Sequence, residues 1–270
     1  MSLKNLMVHL DCGERTKARL DIAVSIARQH QARLLGVFGQ RAEPEKVGIV
    51  ATWPSEEYIA AANASKAQFL TASAGLAQAE WRDINRGSDA ELLRRITDLG
   101  RYSDLIVLGQ HDESAKALVP AELPEEIVLN SGRPVLLIPY IGEFAPHFER
   151  PLIAWNKSRE AAHAVNDALP LLEICHEATV VSLDTQHDTA VDCCTELARH
   201  LACHGIKSKT DILMVNDIGI MDMLLNRITD RDADLLVMGA HGQIGFPFVN
   251  RGAGTRHILR HMTVPVLMSN

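Results

Sequence analysis

The feature that most constrains the fold is an internal repeat that runs through the chain. The segment Asp104–Gly109, with the sequence DLIVLG, recurs as Asp234–Gly239, with the sequence DLLVMG. The opening apolar segment, which ends at Asp11, has its counterpart in a segment that ends at Asn156. Self-similarity of this kind indicates that one folding unit is present twice. We therefore predict two domains of one fold.

Each copy alternates between two kinds of segment. Short runs rich in Val, Ile and Leu are typical of buried parallel strands, and the amphipathic stretches between them are typical of helices. Strands that alternate with helices predict a parallel sheet with right-handed crossovers. The pattern breaks around Gly142 and Pro146. The predicted fold class is therefore α/β, with two tandem, doubly wound, five-stranded parallel-sheet domains at residues 1–142 and 149–270.

The predicted strands of the first copy are Leu3–Asp11, Arg33–Phe38, Ala79–Ile84, Asp104–Gly109 and Pro134–Pro139. Those of the second copy are Leu152–Trp155, Ala178–Leu183, Lys209–Met214, Asp234–Gly239 and Val264–Ser269. The predicted helices are Thr16–Gln31, a long alanine-rich helix within Glu43–Gln78, Asp89–Leu99, Glu122–Asn130, Arg159–Leu172, Ala190–His204, Ile218–Asp230 and Thr255–His261. The first copy is longer than the second, and we expect its extra residues around Ile49–Ala61.

Composition and charge exclude several classes of protein. Of the 270 residues, 47% are hydrophobic and 23% are charged, as in a globular protein with full cores. The net charge is −7 without a basic cluster, which argues against nucleic acid as a partner. No apolar run approaches the roughly 20 residues of a membrane span, and we expect no signal peptide before the first strand. We expect a cytoplasmic protein with no membrane partner.

The cysteines argue against a disulfide framework or a zinc site, because there are five of them without CxxC spacing. We interpret the cysteines as buried or unreactive free thiols in a reducing cytosol. The adjacent pair Cys193 and Cys194 leaves one alternative, a strained redox disulfide.

The C-terminal repeat carries the strongest functional signal. Its strand ends in Gly239-Ala-His-Gly242, and after nine residues Gly252-Ala-Gly-Thr255 leads into a helix and a final strand. Glycine at the end of a strand lets a ligand approach the backbone, and the free N–H groups at a helix N-terminus attract phosphate. A doubly wound sheet binds ligands at this edge, outside the carboxyl ends of its strands.

This loop resembles the nucleotide loop of the universal stress proteins. In that family the last pair is usually Gly-Ser or Gly-Thr, whereas here it is Gly252-Ala253, with Thr255 two residues later. The resemblance covers both copies and implies a tandem member of the family. It implies an adenine nucleotide, ATP with or without Mg²⁺, as the ligand of the C-terminal domain, and a regulatory role in a stress response.

The resemblance also implies a set of site residues. In the family, the acid that ends the first strand binds the adenine or ribose end of ATP, and the glycine loop holds the phosphates. The nucleotide-binding residues implied for this chain are Ala154, Asn156, Ser158, Leu183, Gly239, His241, Gly242, Arg251, Gly252, Ala253, Gly254 and Thr255.

Several of these residues have a second interpretation. The amide of Asn156 can bond an adenine edge, or it can cap the helix that starts near Arg159. His241 can contact a bound group or be solvated. Arg251 and Arg256 flank the Gly252 turn, where they can pair with phosphate oxygens or face water.

The first copy has lost the glycine pattern. Gly109-Gln-His-Asp112 places a carboxylate where the second glycine belongs, and no glycine pair precedes the next helix. Asp11 survives at the end of the first strand. We expect an acidic cluster at this loop to repel a triphosphate, so that the first domain is not an ATP site. The cluster consists of Asp112, Glu122, Glu125 and Glu126.

Known catalytic motifs do not occur in the chain. There is no GxxxxGK[ST] loop, no GxSxG elbow and no HExxH pair, and His257 and His261 lack a third metal ligand. We therefore predict no catalytic and no metal-binding residues, and slow ATP hydrolysis at most. An interaction module that binds no nucleotide and acts through dimerisation is the alternative function. An enzyme of the related adenylate-forming folds would carry a signature that is missing here.

Two predictions concern how the two halves of the chain meet and how subunits assemble. By resemblance, family dimers join through the last strand, so we expect the two final strands of this chain to run antiparallel beside one another. The loop with Phe246 and Phe248 is unusually apolar, so it folds as a lid on the site or meets a second chain. We favour a homodimer, and an unknown protein partner for the regulatory role.

Overall fold

The structure is a computed structural model of the chain. It describes residues 2–270 with the exception of residues 42–44, 48–49, 53, 85–86, 114–117, 185–186, 215–218 and 243–251.

The first half of the chain consists of β1 (Asn5–Leu10), α1 (Thr16–His30), β2 (Arg33–Phe38), β3 (Glu45–Val47), β4 (Val50–Thr52), α2 (Glu56–Ala72), β5 (Ala79–Asp83), α3 (Asp89–Gly100), β6 (Leu105–Gly109), α4 (Leu123–Asn130) and β7 (Val135–Ile138). The second half consists of β8 (Pro151–Trp155), α5 (Arg159–Leu172), β9 (Ala178–Asp184), α6 (His187–Cys203), β10 (Ser208–Met214), α7 (Ile220–Asp230), β11 (Leu235–Gly239), α8 (Ala253–His261) and β12 (Val266–Ser269).

Ten of these strands form one continuous sheet in the order β10-β9-β8-β11-β12-β7-β6-β1-β2-β5. Within each half the neighbouring strands are parallel, and the two halves repeat the same strand order about the junction. The predicted fold class is confirmed. The domain boundaries at 1–142 and 149–270 stay a prediction.

The two halves meet through their final strands. β12 pairs with β7 in antiparallel register, with Leu267 opposite Leu136 and Met268 opposite Val135. All four side chains are fully buried. The prediction of an antiparallel pair is therefore confirmed, and its cause is that each final strand would otherwise leave an unpaired edge.

Two apolar cores cover the two faces of the sheet, and both continue across the junction. One core contains buried residues of α1, α2, α5 and α6, such as Leu20, Phe69 and Ala164. The other contains residues of α3, α4, α7 and α8, such as Leu92, Ile127 and Ile258. Each large side chain that is buried in this way contributes roughly 1.5–3 kcal/mol to folding.

Three helices begin at the serine that the local sequence provides. Ser55, Ser88 and Ser158 are the N-caps of α2, α3 and α5, and each hydroxyl accepts the N–H of the third residue after it. The extra residues of the first half lie between β2 and α2, where β3 and β4 pair with each other. The sequence did not predict this hairpin, because three-residue strands are too short to show an alternating pattern.

Candidate functional site

Each half has a topological switch point, at which neighbouring parallel strands lead to connections on opposite sides of the sheet. In the first half it lies between β1 and β6, and in the second half between β8 and β11. Ligands of doubly wound sheets bind in the crevice at the carboxyl ends of such strands. The described residues of the predicted site, Leu183 apart, lie on the elements around the second crevice.

The first wall of the second crevice is the turn from β8 into α5. Asn156 Oδ1 accepts the N–H of Ser158 at 3.1 Å, and Ser158 Oγ accepts the N–H of Ala161 at 3.1 Å. Ser158 is therefore the N-cap of α5, and the interpretation of Asn156 as the cap is wrong. Asn156 is exposed, and Lys157, the intervening residue of this turn, has φ 58°.

The second wall is the end of β11, where Gly239 packs against α5. A Cβ atom at Gly239 would lie 2.5 Å from the backbone of Glu160 and Ala161, so this position requires glycine for packing alone. A Cβ at Gly242 would lie 3.0 Å from Glu160 Oε2 and 3.4 Å from Ser158 Oγ. The carboxylate of Glu160, which the sequence analysis missed, thus lies at the glycine loop. Its signal was its place in the first turn of a helix at the predicted site, where acidic residues are common.

The turn before α8 is built by contacts within the loop. Gly252 is the N-cap with φ 82°, a left-handed conformation that favours glycine, and the ring of His241 lies where a Cβ atom on this residue would be. The N–H of His241 donates to Thr255 Oγ1 at 2.9 Å, and Thr255 is buried. The hydroxyl oxygen of Thr255 therefore holds the loop onto the helix. Ala253 and Gly254 form the first turn of α8.

An acidic residue of the first half completes this turn. Arg256 Nη1 lies 2.9 Å from Glu125 Oε1, and His241 Nε2 lies 3.4 Å from the same oxygen. Burial lowers the pKa of His241 and the Arg256 charge lowers it further, while Glu125 acts in the opposite direction. His241 is only 11% exposed, so it is not solvated, and Arg256 does not simply face water.

The remaining predicted residues are placed as follows. Ala154 is half-buried near the end of β8, opposite Val181. Leu183 lies in β9 opposite Leu213, and its side chain lies outside the described part of the chain. Arg251 and the loop with Phe246 and Phe248 also lie outside the described residues.

The crevice of the first half is filled by side chains of its own. Asp11 accepts hydrogen bonds from the N–H of Gly13 at 2.7 Å, from Thr16 Oγ1 at 2.6 Å and from Arg19 Nη2 at 2.8 Å. Burial alone would raise the pKa of Asp11, but the Arg19 charge and these hydrogen bonds hold it well below its usual range. The Arg19 side chain lies against Gly109, at the place where a ligand would approach the end of β6.

His9 occupies a second part of this crevice. The register of the two halves places His9 at the position of Ala154, because Val8 pairs with Val107 as Ile153 pairs with Val237. His9 is 1% exposed, and its Nε2 is 2.8 Å from the carbonyl oxygen of Gly39. Burial lowers its pKa to about 4.

One member of the predicted acidic cluster of the first half, Glu125, turns to the second half, where it pairs with Arg256. The neighbouring loop contacts the second half as well, since Gln110 Nε2 donates to the carbonyl oxygens of Leu259 and Arg260 at 3.0 Å. This part of the first half therefore supports α8.

No metal centre is formed among the residues that the structure describes, since no three His, Cys, Asp or Glu side chains could share an ion. His257 Nε2 instead bonds Asp222 Oδ1 at 2.8 Å, and His261 Nδ1 bonds the carbonyl oxygen of His257 at 2.9 Å. Burial raises the pKa of the Cys194 thiol to about 12, which makes it unreactive.

Comparison with known proteins decides the fold family. No protein-family model matches the chain, and no curated protein matches it by sequence. A universal stress protein from Archaeoglobus fulgidus matches it in structure with a TM-score of 0.71 and 15% identity, over 100% of this chain and 97% of the other. The chain has the fold of a tandem universal stress protein.

Two further structures agree with this fold over nearly the full length. A putative universal stress protein from Pseudomonas aeruginosa matches with a TM-score of 0.61 and 16% identity, over 99% of this chain and 93% of that one. A functionally unknown protein from Pseudomonas aeruginosa matches with a TM-score of 0.60 and 14% identity, over 99% and 92% of the two chains. The resemblance read from the glycine loop is confirmed for the fold. In the described part of the chain, no helix is long and apolar enough to cross a membrane.

Proposed function

We propose that the second half of this protein binds ATP or another adenine nucleotide in the crevice between β8 and β11. The role is regulatory, in a cytoplasmic stress response, with slow hydrolysis at most. One observation carries the proposal: the two crevices of the same fold differ in what fills them. His9 and Arg19 fill the first crevice, whereas among the described residues of the second crevice the small side chain of Ala154 stands at the position of His9.

The first turn of α8 provides the phosphate end of this proposed site. The first N–H groups of a helix have no partner within the helix and attract anions. The left-handed Gly252 brings the chain into that turn, and Thr255 and His241 hold the loop against it. Asn156 and the end of β8, including Ala154, provide the adenine or ribose end, with the backbone around Leu183 on the neighbouring strand.

The carboxylate of Glu160 beside Gly242 favours a nucleotide that arrives with Mg²⁺. A bare triphosphate would be repelled by this charge, which is only partly offset by Arg159 at 3.2 Å. Mg²⁺ is usually held by one or two carboxylates together with phosphate oxygens. In this proposal Glu160 is near enough to the loop to contribute such a contact, directly or through water.

Titration calorimetry with Mg-ATP and with ATP in EDTA tests the proposal. We expect one nucleotide per chain and weaker binding without Mg²⁺. At a ligand concentration of 100 times Kd, thermal unfolding should show a stabilisation of roughly 2.7 kcal/mol. Absence of binding, or two equivalent sites per chain, would contradict the site assignment.

One observation favours the alternative, an interaction module that binds no nucleotide. Gly239 and Gly252 are both required by packing, so their presence does not by itself indicate a ligand. Such a module would act through a homodimer or another protein partner. Because β7 and β12 are already paired within the chain, a homodimer would have to use a surface other than these strands. Light scattering at micromolar concentration tests the homodimer, and a monomer would exclude it.

A further inference from the structure

The contact between Glu125 and Arg256 joins the two halves at the proposed phosphate site. We infer that Glu125 is an internal counter-ion that a nucleotide phosphate displaces from Arg256, so that binding in the second half releases a contact made by the first. This inference rests on the proposed function. It gives the first half, whose own crevice is filled, a role in the site of the second.

The position of Arg256 is the first step of the argument. Its Nη1 lies 3.1 Å from the place of a Cβ atom on Gly252, so the guanidinium group lies over the turn that begins α8. Glu125 Oε1 accepts from the same nitrogen at 2.9 Å. A guanidinium group has five donors, so other donors of Arg256 can reach a second acceptor.

The charges around this contact are the second step. Glu125 and Arg256 neutralise one another, and they are 27% and 44% exposed, so water and ligand can reach the pair. Glu126 follows Glu125 on α4, Glu160 lies beside Gly242 and His241 lies 3.4 Å from Glu125. A phosphate group carries more charge and more acceptor oxygens than one carboxylate, so it competes well for the arginine.

The support of α8 is the third step. The first half holds this helix at both ends, through Glu125 near its start and through Gln110 at the carbonyl oxygens of Leu259 and Arg260. Displacement of Glu125 releases the start of α8 from the first half, whereas Gln110 still holds the end of this helix. Nucleotide binding would thereby change the contact between α4 and α8, which lie on the same face of the sheet.

Calorimetry with Mg-ATP on matched variants tests the inference. Removal of the competing charge in Glu125→Gln should tighten binding about tenfold. Glu126→Gln removes the same charge one residue along the same helix, and it should change the affinity by no more than about twofold. Arg256→Gln should weaken binding about tenfold, and the double variant should bind as Arg256→Gln does, because Glu125 acts only through Arg256.

The outcomes separate this inference from the proposed function. If wild type binds no nucleotide, the proposed function fails and the inference fails with it. If wild type binds but Glu125→Gln and Glu126→Gln have equal affinities, the site stands and the inference is wrong. Weaker binding by Glu125→Gln would also overturn it, since Glu125 would then support the site rather than compete for it. Circular dichroism of each variant checks that the fold is retained.

Discussion

Arg19 donates from Nη2 to Asp11 Oδ2 at 2.8 Å, and the side chains are only 6% and 9% exposed. This ion pair lies at the switch point of the first half, against Gly109, whose counterpart Gly239 begins the glycine loop of the second half. Asp11, which by resemblance has the position of the nucleotide-binding acid, is thus paired with an arginine of its own chain.

Removal of one partner should therefore be costly. In Asp11→Asn the charge of Arg19 remains buried without its counter-ion, and we expect a loss of about 3–5 kcal/mol in the free energy of unfolding. The double variant with Arg19→Met should recover much of this loss. Asp21→Asn breaks the exposed pair with Lys17 on the same helix and should cost about 0.5 kcal/mol. Urea unfolding measures all three, and equal losses for Asp11→Asn and Asp21→Asn would contradict the prediction.

His9 should make the stability depend on pH. Its pKa in the folded protein is about 4, against 6.5 for an unperturbed histidine, so the unfolded chain binds the proton first as the pH falls. Stability contributed by neutral His9 is present above pH 6.5 and is lost between about pH 6.5 and pH 4, by about 3 kcal/mol in total. The variant His9→Asn should have a shallower dependence over this range in urea unfolding. A slope identical to that of wild type would contradict this role.

Gly252 should tolerate substitution less well than another left-handed glycine. An alanine at Gly252 would meet the His241 ring as well as the strain of φ 82°, whereas Gly205 has φ 76° and no atom within 4 Å of the added Cβ. We expect Gly205→Ala to cost about 1 kcal/mol and Gly252→Ala about 1–2 kcal/mol more. Chemical unfolding of both variants provides the comparison. Equal losses in the free energy of unfolding would show that the His241 ring can move away from an added Cβ atom at no cost.

A carboxylate at Gly242 should abolish nucleotide binding. Gly242→Asp places a second negative charge beside Glu160 and beside the proposed phosphates, at roughly 4 kcal/mol for a charge about 4 Å away at an effective dielectric of 20. Gly242→Asn has the same shape without the charge and should retain part of the affinity. Undiminished binding by Gly242→Asp in calorimetry would show that the nucleotide does not bind beside Gly242. Asp112→Gly should not create a second site, because Arg19 still fills the first crevice.

The second half alone should form a dimer. A fragment of residues 149–270 exposes the edge of β12, whose residues Val266 and Leu267 are fully buried against β7 in the whole chain. Exposed apolar strand edges pair with one another, so two fragments should copy the antiparallel junction. Light scattering measures the mass, and Leu267→Lys should weaken the fragment dimer. A folded monomeric fragment would contradict the prediction.

The sequence by itself determined the repeat, the order of the elements and their approximate ends. The helix Arg159–Leu172 was predicted with the bounds that the structure has, because its apolar face repeats with helical spacing, although its cap is Ser158 and not Asn156. The glycine loop that begins at Gly239–Gly242 indicated the fold family, because its glycines are spaced along one continuous segment of the sequence. All of these signals lie within one segment of chain, where neighbouring residues decide the conformation.

Only the tertiary structure decided which residues meet at the two crevices. Arg19 reaches Gly109 from another element, Glu160 reaches Gly242 from α5, and Glu125 reaches Arg256 across the junction of the halves. No local pattern encodes these contacts, because they depend on how the helices pack and on the pairing of β7 with β12. Glu125 was predicted to repel a phosphate in the first half, but in the structure it pairs with Arg256 of the second half. The junction of the halves brings these two charges together, although they lie 131 residues apart in the chain.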